Sequence, residues 1–572
     1  MEQGGVWRWI LIGLAVFFAW TYVPKLLGSK EPELQPIGVG RTETQVYRVG
    51  VEPPAKCEIE SKRYHAAFSA RGAALVDFWL TGDERYTDAG KPLELMSVPG
   101  EAPDRFTLRT DFRAMGLTGD DAQVREDVAD WTLASSDGRR CVFTFADDRT
   151  RLTKTVRAGD GPFELVVTTE VENLTDQKLR HRLGVENTSW HTDAETDSKL
   201  GRQSPFASEV ACGHDGGKLE KRGPGDFSPK DFGKPEFQSG WRVHDGAVDF
   251  AATTNAYFAQ ALVPLAGGPA ACALQIEERW FHERYPDKKD DPNAGAMYRS
   301  RLVWPLRELG AHEKASYEVL GYFGPKDRTA LAAAAGGQHH LAEIIDLGHF
   351  AVIAKVLVGF LTKVHGVVGN WGVSIIVLTL CVKVLLFPLT WKQIKSTLAM
   401  RALKPEIDAI NAKFADDAQQ KQVAMMEAYR KNGVNPFGGC LPVLVQLPVW
   451  WALYTTLQTA VELYHTPFLW FRDLSAPDPY FVLPVVIGAV SMVQQRMMPQ
   501  QADPAQQKMM LYFMPAMFTA MMLFLPSGLG VYMLTNSILG ILQQQAVERI
   551  APAAAPARIE VRDKTADQKR KG

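Results

Sequence analysis

Residues 377–389 read VLTLCVKVLLFPL, and Lys383 stands in the middle of an apolar run dense enough for a membrane. A charge at the centre of a bilayer costs about 2.5–3.5 kcal/mol on insertion scales. The run belongs to a longer segment, 371–390, and four more apolar segments follow at about 437–460, 480–495, 509–525 and 529–545. Pro388, Pro442, Pro448, Pro484, Pro515 and Pro526 interrupt them, which neighbouring helices and local adjustments make tolerable in lipid. Several segments are short for a bilayer, so local thinning or tilt is expected. None of the five contains Asp or Glu. Lys383 therefore has no carboxylate partner at depth on its own chain. That separates the chain from ion-coupled transporters and proton relays, which place acidic groups there.

Snorkelling is the bland solution. Thr390 marks the end of the segment, about 10 Å away at helical rise, further than a lysine side chain reaches. A water-filled groove serves better. Thr379, Gln446, Thr455, Thr456, Thr535, Asn536 and Ser537 are the polar residues that could line it, although each alone also fits a helix-packing hydrogen bond. An unpaired cation in a groove attracts an incoming Asp or Glu more strongly than water allows. Met510, Met514, Met517 and Met521 repeat at helical spacing. Methionine suits surfaces that meet varied apolar partners, and it equally suits ordinary packing. The loop 391–436 is rich in Lys and Arg, the loop 461–479 holds only Arg472, and the C-terminal tail is basic again. Positive-inside logic puts the first loop and the tail in the cytoplasm. The loop itself reads as a helical hairpin, either a solvated pair or a platform for a substrate or ribosome.

Upstream the grammar differs. Residues 7–28, WRWILIGLAVFFAWTYVPKLLG, are long enough to span. Bulky residues follow where a signal peptidase site would need small ones, so a retained anchor is expected. From about 29 to 322 the chain shows short alternating runs between Gly, Pro, Asp and Asn clusters. In FELVVTTEVEN, residues 163–173, Phe163, Leu165, Val167, Thr169 and Val171 share one face at period 2. Many such runs predict a large all-β sandwich. Residues 350–370 are apolar but carry Lys355, Gly359 and Lys363 on one helical face, the pattern of an interfacial amphipathic helix. Cys57, Cys141, Cys212 and Cys272 lie in the β-rich part, where disulfides and buried thiols are both open. No two cysteines have metal-ligand spacing. The 572 residues average 46% hydrophobic, 22% charged and a net charge of −2, which gives no argument for nucleic acid.

The membrane half resembles the YidC family of membrane protein insertases, relatives of the mitochondrial and chloroplast insertases. The resemblance rests on GNWGVSIIVLTLCVKVLLFPLT (369–390), MRALKPEIDAI (400–410), VNPFGGCLPVLVQLPVWWALY (434–454), DLSAPDPYFVLP (473–484) and LPSGLGVYMLTNSILGILQQQ (525–545). YFGPKD (322–327) resembles the end of the family's periplasmic domain in Gram-negative bacteria. The resemblance implies a multi-pass α-helical membrane protein with a large all-β, supersandwich-like periplasmic domain. The division expected is an anchor over 1–28, a periplasmic β domain over 29–330, and a linker with the interfacial helix over 331–370. A five-span core over 371–546 and a basic cytoplasmic tail over 547–572 complete it, with both termini cytoplasmic in the bacterial inner membrane. It also implies insertion and folding of nascent integral membrane proteins, alone or with the Sec translocon and its accessory subunits, served by ribosomes and signal-recognition components. The lipid bilayer is the other partner. No cofactor, metal, catalytic residue or direct nucleic-acid site is expected. The family's groove residue is typically arginine; Lys383 keeps the charge and loses the bidentate fork. Envelope glycan chemistry and solute transport are the rival classes. No G-x-S-x-G, H-E-x-x-H or nucleotide loop supports either.

Overall fold

The computed structural model describes residues 54–551, apart from 89, 98–105, 116–129, 197–207, 228–236, 239, 245, 279–290, 292–293, 415–416, 433–440 and 498–508. The expected N-terminal anchor and most of the basic tail fall outside these residues. The first half is built from antiparallel strands in two large sheets and a smaller one. Strand Lys314–Pro325 runs through the nine-stranded sheet between Glu164–Asn173 and Phe258–Ala266. Phe163, Leu165, Val167, Thr169 and Val171 are all buried, the face that the alternation marked. The seven-stranded sheet is organised around Leu179–Thr192, which pairs with Gly295–Val303 from Gly184 to Thr192. The two sheets pack face to face, and one continuous apolar core fills the space between them.

The open question of the cysteines is answered by position. Cys57 pairs with Cys141 and joins the four-stranded sheet to the nine-stranded one. Cys212 pairs with Cys272 and joins the nine-stranded sheet to the seven-stranded one. Each bridge closes a long loop, which constrains the unfolded chain most.

Buried charge in this half is compensated. Glu186 accepts from Arg109 and Arg301, and Arg301 also reaches Asp111 at 2.6 Å. Burial works against the charged carboxylate, yet Arg109, Arg301 and Arg299 outweigh it and hold Glu186 well below the usual carboxylate range. Lys154 differs: it is fully buried with no carboxylate, its ammonium donating to the Leu108 carbonyl and the Thr110 hydroxyl.

The second half is helical. Helix α1 (Ala351–Val368) is followed by α2 (Trp371–Leu385), α3 (Phe387–Ala402), α4 (Lys404–Lys413), α5 (Ala418–Lys431), α6 (Leu441–Thr459) and α7 (Val482–Arg496). A π-turn over Met509–Phe513 leads into α8 (Met514–Met522), and α9 (Ser527–Ile550) closes the chain. Asn370 caps α2 by accepting from the Val373 N–H, and Pro526 precedes α9. Helices α4 and α5 fold on each other around Leu403, Ile407, Ile410 and Ala428. Helix α3 docks back on α9 through Ile394, Leu398 and Val547.

The segment 371–390, read as one span, is two helices: α2 and α3 meet at 68°. The break at Leu386 has a cause two residues on. Pro388 lacks an N–H and its ring would clash with the carbonyl four residues back, so it opens a new helix in its first turn more easily than it continues an old one. By length and composition alone, α1 is the described helix that could cross a bilayer unaided. The sequence placed that helix in the interface instead. Helix α2 at 15 residues is about 22 Å long at helical rise, short of the ~30 Å hydrocarbon thickness.

Candidate functional site

Lys383 lies in the last turn of α2. The kink brings the end of the helix within two residues of it, much nearer than Thr390. A cation there also complements the negative end of the helix dipole. The side chain is half-buried and directed at α9. A Cβ placed on Gly540 would stand 3.7 Å from Lys383 Nζ and 3.4 Å from Gln494 Nε2. Glycine at 540 thus leaves the gap that the ammonium approaches. No carboxylate among the described residues forms an ion pair with Lys383.

The polar residues singled out in the sequence divide on inspection. Asn536 and Ser537 are half-buried on α9, one turn before Gly540, on the side of the helix that carries it. Thr535 lies beside them, and its hydroxyl donates to the Val531 carbonyl of its own helix at 2.7 Å. Thr379 is buried and donates to the Ile375 carbonyl at 2.6 Å. Its hydroxyl is satisfied within α2 and is a packing feature. Thr455 donates to the Leu347 carbonyl at 3.2 Å, joining α6 to the linker, and Thr456 is buried. Gln446 lies in α6, with its side chain outside the described residues.

Two amides that the sequence reading missed, Gln494 and Gln543, stand by the lysine, and a third, Gln544, holds the helices beside it. Gln494 comes from α7. Gln543 donates from α9 to the Lys383 carbonyl at 3.4 Å, and its Oε1 is buried without a donor. Gln544 donates to the Met497 carbonyl at 2.9 Å, closing α9 onto the end of α7. The available signal was amides at the ends of two apolar segments, Gln494–Gln495 and Gln543–Gln545. Amides hydrogen-bond across packed helices in lipid.

The methionine face is only partly continuous. Met517 and Met521 are exposed on α8, and Met514 is half-buried. Met510 falls in the π-turn, where four residues no longer complete one turn, and its side chain lies outside the described residues. Tyr512 and Phe513 extend the exposed apolar surface. On α2, Ile376, Leu380, Val384 and Leu385 are exposed on either side of the lysine, Leu385 at 78%.

A family model described as YidC periplasmic domain matches residues 56–360, and one described as 60Kd inner membrane protein matches 363–554. The protein named membrane protein insertase YidC of Anaeromyxobacter dehalogenans strain 2CP-C is 34% identical over 531 residues, covering 88% of this chain and 87% of its own. The chain belongs to the YidC family of membrane protein insertases. The YidC of Geobacter sp. strain M21 is 31% identical over 507 residues, covering 86% and 85%. A crystal structure titled as an active YidC insertase with its first transmembrane domain resolved aligns at 19% identity, covering 95% of this chain and all of that one, with a TM-score of 0.35. The protein is accordingly an inner-membrane insertase, not an enzyme, whose substrates are nascent membrane proteins and whose β-rich half is periplasmic.

Proposed function

We propose that Lys383 is the cationic docking point of a cytoplasm-open hydrophilic groove through which this insertase passes nascent spans into lipid. The observation that carries the reading is a half-buried ammonium, without a carboxylate partner, facing the gap at Gly540 among the amides of Gln494 and Gln543. Its counter-charge arrives with the client, as an Asp or Glu in the outward-going end. Attraction in a partly desolvated site is stronger than in water, and a basic end is turned away by the same charge. Gln446, Asn536 and Ser537 keep the path wet. The client's apolar segment then moves past α6 and α8, over Met514, Met517 and Met521, toward lipid.

The basic loop 391–436 and both termini are placed in the cytoplasm, and α1 lies along the outer membrane surface. For α1 the support is its exposed side, where Lys363 stands among Val352, Val356 and Val367. That mixture suits headgroups better than hydrocarbon. The domain limits are those read from the sequence: anchor to 28, β domain to 330, linker and α1 to 370, core to 546, then the tail. Cooperation with the Sec translocon, and delivery by ribosomes and signal-recognition components, belong to the same proposal.

The test is insertion of a small client with an acidic outward-going end into vesicles carrying the full-length protein. Loss of one charge-assisted contact is worth roughly tenfold or more in affinity. Lys383→Ala is expected to slow insertion by about that factor, Lys383→Glu to slow it further, and Lys383→Arg to keep it. If Lys383→Ala inserts acidic and neutral clients as fast as wild type, charge capture is wrong.

A further inference from the structure

Where the linker meets α1, the flank of the helix that carries Lys355, Gly359, Thr362 and Lys363 lines a cavity of about 630 Å³. Arg328, just before the linker, lines the same cavity and a second one of about 600 Å³. The charges around the first cavity are Arg328, Lys355 and Lys363 against Glu343. Lys355 is taken by Glu343 at 2.7 Å. Lys363 forms no ion pair with any described residue. Arg328 Nε is 3.5 Å from Glu462, yet Nε and Nη2 are both buried with no hydrogen-bond acceptor. Buried guanidinium donors are normally satisfied; beside this cavity Lys363 has no ion pair among the described residues, and Arg328, though ion-paired to Glu462, keeps two donors without an acceptor.

The remaining walls narrow the chemistry. Ile345, Leu347 and Val358 make much of the cavity apolar. It adjoins the exposed apolar side of α1, where Val352, Val356 and Phe360 stand clear of the protein. An anion with an apolar body fits both features.

We propose that this cavity holds the phosphate of an anionic phospholipid from the outer leaflet, bound between Lys363 and Arg328, with its acyl chains laid along α1. The inference rests on placing α1 at the membrane surface. The lipid would tie the linker, and through Arg328 the end of the periplasmic domain, to the surface beside the insertase core, which Arg328 already meets at Glu462.

Gly359 allows a test that leaves the charges in place. A Cβ there meets nothing within 4 Å, so Gly359→Leu would project into the cavity without a clash and favour the helix. The full-length protein is purified in detergent and exposed to phosphatidylglycerol, phosphatidylcholine or inorganic phosphate, and bound molecules are counted by native mass spectrometry. Wild type is expected to retain phosphatidylglycerol over phosphatidylcholine. Lys363→Gln and Gly359→Leu should each weaken retention, roughly tenfold for the lost charge. Equal retention of the two lipids, or wild-type retention by both variants, overturns the proposal. Binding of inorganic phosphate that depends on Lys363, without lipid retention, shows an anion site and overturns the lipid. A fluorophore on Val367→Cys, in a background lacking Cys381 and Cys440, separates the two readings. Quenching by brominated lipid with no retained phosphatidylglycerol removes the site and leaves the placement of α1 standing. No quenching removes both.

Discussion

The two halves of this insertase treat buried charge in opposite ways. In the periplasmic sandwich Glu186 is enclosed by Arg109, Arg301 and Arg299, and Arg301 is shared with Asp111. Every charge in that cluster faces its opposite on the same chain. In the helical half Lys383 faces a glycine gap and amides. A closed network fixes one packing of the sheets, because any member left alone is costly. An open cation leaves binding energy available for something that is not part of the fold. On the proposed function, the same physics serves architecture in one region and recognition in the other.

The largest effect is expected where the network is closed. Glu186→Gln keeps the shape and leaves three guanidinium groups without their shared carboxylate. Breaking a buried pair this way costs about 3–5 kcal/mol, seen as a lower denaturation midpoint of the full-length protein. The fraction that stays folded should insert acidic clients normally. A variant that is stable yet fails to insert would erase the contrast between the halves.

Lys154 tests the contrast from within the sandwich, as a buried cation with hydrogen bonds but no counter-charge. Burial pulls its pKa down to about 7. In the unfolded chain a lysine holds its proton to about 10.4. Between those values the unfolded state binds more protons, so this group makes stability rise with pH. The slope from one proton is at most about 1.4 kcal/mol per pH unit. Lys154→Met should remove that part of the slope and raise stability near pH 7. Denaturation curves at several pH values for both forms check it, and an unchanged slope would mean that Lys154 stays charged in the fold.

Much of the periplasmic fold was legible in the sequence, because a strand's two faces alternate with a fixed period. Phe163 to Val171 show it residue by residue. The pairing of the four cysteines was not legible, since it depends on which sheets come together. The helical half was legible as a set of apolar segments and less so in its breaks. Pro388 reads as a tolerated interruption, yet it starts a new helix at 68° to the last. That single turn changes how far Lys383 sits from the end of its helix. The lysine itself marked the candidate site, since an isolated charge in an apolar run needs an explanation. Gln494, Gly540 and Gln543 did not, because glycine and glutamine gain meaning there only from the helix opposite.

The smallest effect is expected at Thr379, one turn before Lys383 and equally polar on paper. Its hydroxyl donates to the Ile375 carbonyl and the residue is buried within the helix bundle. A threonine bonded to its own helix offers little to an incoming chain. Thr379→Ala removes one intrahelical hydrogen bond, for which the backbone carbonyl still has its helical partner. Stability should change by less than about 1 kcal/mol, and insertion of acidic clients should match wild type. Run beside Lys383→Ala in the same vesicles, it separates charge from general polarity. If Thr379→Ala slows insertion as much as Lys383→Ala does, hydration of the whole face matters more than the cation, and the lysine loses its special place.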